Sequence, residues 1–96
     1  MRFKIITSPS AHKKWRAVFS KGQFEEVVDF GAKGMSDYTL HKDLKRKQMF
    51  LTRFRKLIHQ YKDDPFSPMT LSTWILWNKP TLEESIKDFK KHFHLT

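Results

Sequence analysis

The longest stretch without glycine or proline contains residues 40–62, and it limits what this 96-residue chain can form. Its apolar residues recur at spacings of three, four and seven, and the main ones are Leu40, Leu44, Leu51, Phe54, Ile58 and Tyr61. This period is typical of a helix with one buried face. The stretch therefore predicts one long helix over residues 40–62, with an apolar ridge that belongs to the core.

The same stretch carries most of the charge. Eight of its residues are basic and only Asp43 is acidic, so it supplies +7 of the chain's net charge of +9. On a helical wheel, five bases fall opposite the apolar ridge: Lys42, Lys45, Arg46, Arg53 and Lys56. Lys47 lies within the apolar arc, so its ammonium group is expected to reach out toward solvent unless the first turn extends beyond the core. A pI near 10.0 favours polyanionic partners, while a solvated helix face without a partner is the alternative.

The first 30 residues predict β-structure. A short β-prone run over residues 3–7 ends at Ser8-Pro9-Ser10, where proline closes the strand or starts a turn. Two longer runs, residues 14–19 and 24–30, flank Gly22 and favour a β-hairpin. The three runs together predict a meander.

The hairpin register depends on which two residues form the loop. If Lys21 and Gly22 form it, Phe19 lies opposite Phe24 and Lys14 pairs with Asp29. One face of the hairpin is then mostly aromatic and the other mostly charged, as in a sheet that is covered on one side.

Two glycines, Gly31 and Gly34, lie three residues apart after the hairpin and predict a tight connection that tolerates positive φ. A Gly-x-x-Gly loop that contains a lysine, here Lys33, can also bring backbone N–H groups against a phosphate in a single-stranded nucleic-acid module. That module places the loop between two helices, whereas this loop follows a strand, so an ordinary turn is the favoured interpretation.

Two further helices are expected after the Asp-Asp-Pro break that follows residue 62. The Ser67-Pro68 pair is typical of a helix start and predicts a short, buried helix over residues 68–77. Thr81 with Glu84 has the form of a capping box and predicts a helix over residues 81–93.

Together these elements predict an α+β fold in one domain, residues 1–96, with an antiparallel three-stranded sheet packed against three helices. The expected parts are a β-meander over 1–30, a Gly-rich connection over 31–39, the long basic helix over 40–62, the short helix over 68–77 and the last helix over 81–93.

No pattern in the sequence points to catalysis. The chain has no cysteine, which excludes disulfides, thiol catalysis and Cys-based zinc sites. Candidate metal ligands are His92 with His94, or His41 with Asp37 and Asp43, but a zinc site needs three or four convergent ligands with recognisable spacing. The His92-x-His94 pair has no obvious partners. No nucleophile elbow, phosphate-binding loop or dinucleotide fingerprint is present. We therefore expect no enzymatic activity, no cofactor, no metal site and no small-molecule substrate.

No apolar run approaches the roughly 20 residues that span a bilayer, so membrane insertion is not expected.

Two stretches carry a family resemblance: residues 28–43, which contain Phe-Gly-Ala-Lys-Gly-Met-Ser-Asp-Tyr-Thr-Leu-His-Lys-Asp, and residues 74–89, which contain Leu-Trp-Asn-Lys-Pro-Thr-Leu. The chain resembles small basic proteins of uncharacterised function that large double-stranded DNA viruses of algae and amoebae encode, over about residues 13–93. The resemblance implies no reaction or ligand. It implies a viral origin, with action in the cytoplasm or nucleus of an infected cell, or in the particle.

These observations favour a non-enzymatic module that binds polyanions, with the phosphate backbone of DNA or RNA as the expected partner. The expected contacts are Lys33, His41, Lys42, Lys45, Arg46, Arg53 and Lys56. The alternative is a virion component, such as a minor capsid or packaged protein, whose basic helix docks on an acidic viral protein.

Overall fold

The computed structural model describes residues Met1–Thr96 and has the predicted α+β architecture. Three strands come first: β1 (Arg2–Thr7), β2 (Lys13–Lys21) and β3 (Phe24–Ala32). The helical part follows, with α1 (Tyr38–His41), α2 (Leu44–Arg53), α3 (Arg55–Gln60), α4 (Pro68–Leu71), a π-helical turn (Ser72–Leu76) and α5 (Leu82–His92). No helix is both long and apolar enough to cross a membrane.

The strands form one antiparallel sheet in the order β1-β2-β3, which confirms the predicted meander. The predicted register is wrong, because Gly22 and Gln23 form the loop and Lys21 pairs with Phe24. Gly22 has φ +59 at the first loop position, a conformation that glycine adopts without a steric cost. Each β2 residue is thus paired with a β3 residue two positions away from the predicted partner. Because side chains alternate between the two faces of a sheet, a shift of two leaves every residue on its predicted face.

The register change decides which charges meet. Arg16, not Lys14, lies opposite Asp29, and the Arg16 guanidinium donates to both Asp29 oxygens at 2.9 and 3.1 Å. Lys14 instead donates to Asp37 in the connection after β3, at 2.6 Å. Since both groups of the Lys14–Asp37 pair are largely buried, it fastens the sheet to the start of the helical region.

The core lies on the aromatic face of the sheet. Its fully buried members come from the strands, α4, the π-helical turn and α5: Phe3, Ala17, Phe19, Phe30, Leu71, Ile75, Leu76 and Phe89. The Phe3 ring lies 5.0 Å from Phe19 and 4.7 Å from Phe89, centroid to centroid, so one aromatic cluster joins sheet and last helix.

Both predicted start signals in the C-terminal third are confirmed. The Ser67 side chain accepts from the Met69 N–H with Pro68 at the first helical position, and Thr81 accepts from the Glu84 N–H. The first of these helices changes to a π-helical turn, in which the Trp77 N–H bonds to the Ser72 carbonyl five residues back. Trp74 and Trp77 are half-buried against the core cluster.

The single long helix predicted over 40–62 is interrupted. Helix α1 ends after one turn because Lys42 adopts a left-handed conformation with φ +55. Asp43 then caps a new helix, accepting from the backbone N–H groups of Lys45 and Arg46. A second interruption at Phe54 only bends the chain, since the i→i−4 bonds into and out of Phe54 are kept.

The predicted apolar ridge of this segment does not belong to the core. No residue of α1, α2 or α3 is buried, and the outer ridge positions Leu40 and Leu44 are 65% and 56% exposed. The segment rests on the body through Phe50, whose ring stacks on Trp77 at 4.4 Å with an interplanar angle of 3°. The helices after residue 67 fill the sheet face instead, which leaves the amphipathic segment outside.

Candidate functional site

Residues 38–62, which contain α1, α2 and α3, form what we call the basic arm. Seven of its eight cations are exposed: Lys42, Lys45, Arg46, Arg53, Arg55, Lys56 and Lys62. The molecule has two ion pairs, Lys14–Asp37 and Arg16–Asp29, and neither includes a cation of the arm. No cation of the arm is therefore neutralised by an ion pair within the chain.

Two arm lysines bind carbonyl groups. Lys47, the eighth cation, lies half-buried and donates to the Asn78 carbonyl at 2.6 Å, with its ammonium group 5.1 Å from the centre of the Tyr38 ring. The prediction that this ammonium group reaches toward solvent is wrong, because the Asn78 carbonyl holds it against the body. The exposed Lys42 donates to the Thr39 carbonyl of its own turn at 2.9 Å. The side chains of the other six arm cations make no hydrogen bond within the chain: Lys45, Arg46, Arg53, Arg55, Lys56 and Lys62.

His41 does not present a free ring nitrogen to solvent. Its Nδ1 accepts from the Asp43 N–H at 2.9 Å, while its Nε2 is buried and has no partner. The ring lies 5.3 Å from Trp77. This geometry corrects the prediction that His41 contacts a phosphate, because the ring instead supports the turn between α1 and α2.

The Gly-x-x-Gly loop is an ordinary turn. Gly31 still belongs to β3, and two of the backbone N–H groups at this loop are already used: Lys33 donates to the His12 carbonyl and Met35 to the Ala32 carbonyl. The predicted tolerance of positive φ is confirmed, with φ +79 at Gly31 and φ +88 at Gly34. The Lys33 side chain is exposed, so it can contribute to an anion site.

A groove of about 890 Å³ lies between α2 and the end of β3. Its floor is mainly apolar and contains Met35, Met49, Phe50, Phe54, Leu76 and Trp77. Three of the predicted contacts, Lys45, Arg46 and Arg53, also line it. The structure thus brings these three cations together at the groove. Lys42 and Lys56 lie on the arm outside the groove. Lys33 comes directly after Ala32, which lines the groove.

Sequence reasoning missed the groove, although one signal was present. At 100° per residue, Met49 falls on the wheel between Lys45 and Arg53, so an apolar side chain sits inside the basic arc. A face that is only solvated, or that only binds phosphates, does not require an apolar side chain at this position. Arg55 and Lys62 were not among the predicted contacts, yet their exposure matches that of the residues that were.

The pKa of the Asp29 carboxyl departs clearly from its ordinary value. Hydrogen bonds from the Arg16 guanidinium hold the pKa of Asp29 below 3.8, and the carboxylate in turn raises the pKa of Arg16. The pair lies on the sheet, away from the arm. No group of three His, Asp or Glu side chains is placed so that it could hold a metal ion.

Comparison with known proteins gives one match. A family model described as a family of unknown function, DUF5754, matches residues 3–54, which is just over half of the chain. The matched region contains the sheet, α1 and α2, and it ends at the bend between α2 and α3. No curated protein and no solved structure matches.

Proposed function

Since the chain belongs to DUF5754, a family of unknown function, we propose a function from the chemistry of its surface: a non-enzymatic protein that binds nucleic acid through phosphate contacts of the basic arm. The observation that carries the proposal is the set of exposed arm cations without an acidic partner. A phosphate backbone supplies the missing negative charge at regular spacing, and its binding releases condensed counterions.

The contacts are exposed side chains of the arm, Lys42, Lys45, Arg46, Arg53 and Lys56, with the exposed Lys33 beside it in support. Arg46 and Arg53 lie two helical turns apart on one side of α2, about 10 Å along the axis. Such contacts fix a protein on a nucleic acid without reading bases, so weak sequence preference follows.

A triple variant in which neutral glutamines replace cations of the arm tests this proposal. Lys45→Gln/Arg46→Gln/Arg53→Gln removes three cations of the arm. The matched control Lys4→Gln/Lys21→Gln/Lys91→Gln removes three exposed lysines elsewhere, so the two variants have the same net charge. Fluorescence anisotropy with a labelled generic duplex, and separately with a single strand, should show at least tenfold weaker binding for the arm variant than for the control. Equal losses would mean that total charge, and not the arm, drives binding.

We further propose that the chain comes from a large double-stranded DNA virus of algae or amoebae and acts in the host cytoplasm or nucleus, or in the particle. The resemblance of residues 28–43 and 74–89 to small basic proteins of such viruses supports this origin. Finding the protein in infected cells by mass spectrometry, with its coding sequence in the viral genome, would test it.

The second candidate function is a virion component that docks on an acidic viral protein. Two large apolar side chains that are exposed in the groove, Met35 and Met49, favour this candidate, because phosphate contacts do not use them. A stoichiometric amount of the protein in shell fractions after removal of the genome would support it, and its loss together with the genome would count against it.

A further inference from the structure

The groove beside α2 has an apolar floor that phosphate binding leaves unexplained. Met35 is 66% exposed and Met49 is 62% exposed, so two large apolar side chains face solvent within one groove. Exposed methionines grouped with other apolar side chains are typical of surfaces that bind a partner.

The charged side chains of the groove restrict the partner. Lys45, Arg46 and Arg53 line it, and none of them has an acidic partner in the chain. The fourth cation of the lining, Lys14, is already paired with Asp37. An occupant therefore needs apolar groups for the floor and negative charge for the three free cations.

A single-stranded nucleic acid and an acidic amphipathic helix both offer apolar groups and negative charge. Bases bind by stacking on free aromatic faces, but the aromatic rings of this groove already contact one another. Trp77 is stacked on Phe50 at 4.4 Å, Phe50 contacts Phe54 at 4.8 Å, and the Arg53 guanidinium covers Phe54 at 5.2 Å. The most exposed large apolar side chains of the groove are those of Met35 and Met49, and the flexible thioether of methionine adapts to the aliphatic side chains of a helix.

We propose that this groove binds an amphipathic helix of a partner protein, with its apolar residues on the methionine floor and its carboxylates on Lys45, Arg46 and Arg53. The inference deepens the second candidate function by naming the place and the chemistry of the partner segment. It does not require nucleic-acid binding. Because the three cations are shared, the helix and a nucleic acid would compete for the arm.

A pair of synthetic peptides tests the proposal on the full chain. The probe is a peptide of roughly four helical turns, with leucines at i, i+3, i+4 and i+7, a few glutamates beside them and alanines elsewhere to favour the helix. The control peptide has the same composition and charge in an order that destroys the apolar face. Calorimetry should show that the amphipathic probe binds at least about tenfold more tightly than the scrambled peptide. Equal affinities would overturn the proposal, since charge alone would then explain binding.

Variants of the floor locate the contact. Met35→Ser/Met49→Ser should weaken binding of the amphipathic probe about tenfold. The matched control Leu40→Ser/Leu44→Ser removes two residues of similar exposure that do not line the groove, and it should leave the affinity unchanged. All four side chains are mostly exposed, so the fold is expected to survive, which circular dichroism checks.

A third ligand separates this proposal from the nucleic-acid proposal. A thymidine oligonucleotide should bind the methionine variant as well as it binds the wild type. If the variant loses oligonucleotide affinity but keeps peptide affinity, the groove binds bases and the peptide proposal is wrong. Failure of the nucleic-acid proposal is seen separately, as weak oligonucleotide binding by the wild type.

Discussion

At the scale of single residues, position 31 requires glycine for two reasons: its backbone conformation and the lack of space for a side chain. Its φ of +79 lies in the region that favours glycine, and a Cβ built there would lie 2.9 Å from Leu76 Cδ1, inside the core. Gly34 also has a positive φ, +88, but a Cβ there would meet nothing within 4 Å. The sequence indicated the backbone freedom of both glycines, but only the packed structure distinguishes their surroundings.

Gly31→Ala is therefore expected to destabilise the fold more than Gly34→Ala. The backbone conformation alone costs on the order of 1–3 kcal/mol in either variant, and the contact with Leu76 adds to it only at Gly31. Denaturant unfolding of both variants measures the difference in the free energy of unfolding. Equal losses would show that the close approach to Leu76 has no energetic weight.

The Arg16–Asp29 pair gives a pH dependence of known sign. Because the pKa of Asp29 is below its ordinary value of 3.8 in the folded chain, its contribution to stability is present above that value. It is lost as the pH falls through the lower, folded pKa. Asp29→Asn lacks this contribution, so the stability of the variant and that of the wild type should converge in acid.

Denaturant unfolding of both proteins between neutral pH and about pH 3 measures the convergence. A constant difference over that range would contradict the assignment.

The sequence predicted a cation opposite Asp29 but selected Lys14, since the loop position, which fixes the register, could not be read from Lys21-Gly22-Gln23 alone.

At the scale of elements, the arm shows what an amphipathic pattern can and cannot predict. The pattern correctly indicated helix in the middle of the segment, but it reports the capacity to bury a face and not whether burial occurs. The sheet offers one face for burial, and α4, the π-helical turn and α5 occupy it. The helix starts at Ser67 and Thr81 were predictable because capping is decided by local chemistry.

The break at Lys42 was missed because the helical spacing of Leu40 and Leu44 continues across it. Asp43 is the N-cap of α2, so Asp43→Ala should cost about 1 kcal/mol of helix stability. Since α2 rests on the body mainly through Phe50 and Lys47, the loss should appear as local opening. Amide hydrogen exchange at Lys45 and Arg46 should become faster.

Asp63→Ala is the matched control for Asp43→Ala, because it removes the same charge from an exposed residue that caps no helix. The control should leave exchange at Lys45 and Arg46 unchanged. Comparable acceleration in both variants would attribute the effect to charge and not to capping.

At the scale of the whole molecule, the chain divides into a packed body and an exposed arm. The α+β class and the order of strands and helices could be predicted, because periodicity, turn residues and capping residues all agreed. The groove could not, because its lining comes from residues between Lys14 and Trp77 that only the tertiary fold brings together. The concentration of charge was visible from the beginning, but its lack of internal partners became clear only from the ion pairs.

The salt dependence of nucleic-acid binding tests the central claim most directly. If the five assigned cations of the arm each neutralise one phosphate of a duplex, log K should fall against log salt concentration with a slope of about −4 to −5. The Lys45→Gln/Arg46→Gln/Arg53→Gln variant should reduce the magnitude of that slope by about 3, and the matched surface variant should leave it nearly unchanged. Binding whose affinity does not depend on salt, or a slope that the arm variant leaves intact, would contradict the claim that the arm binds phosphates.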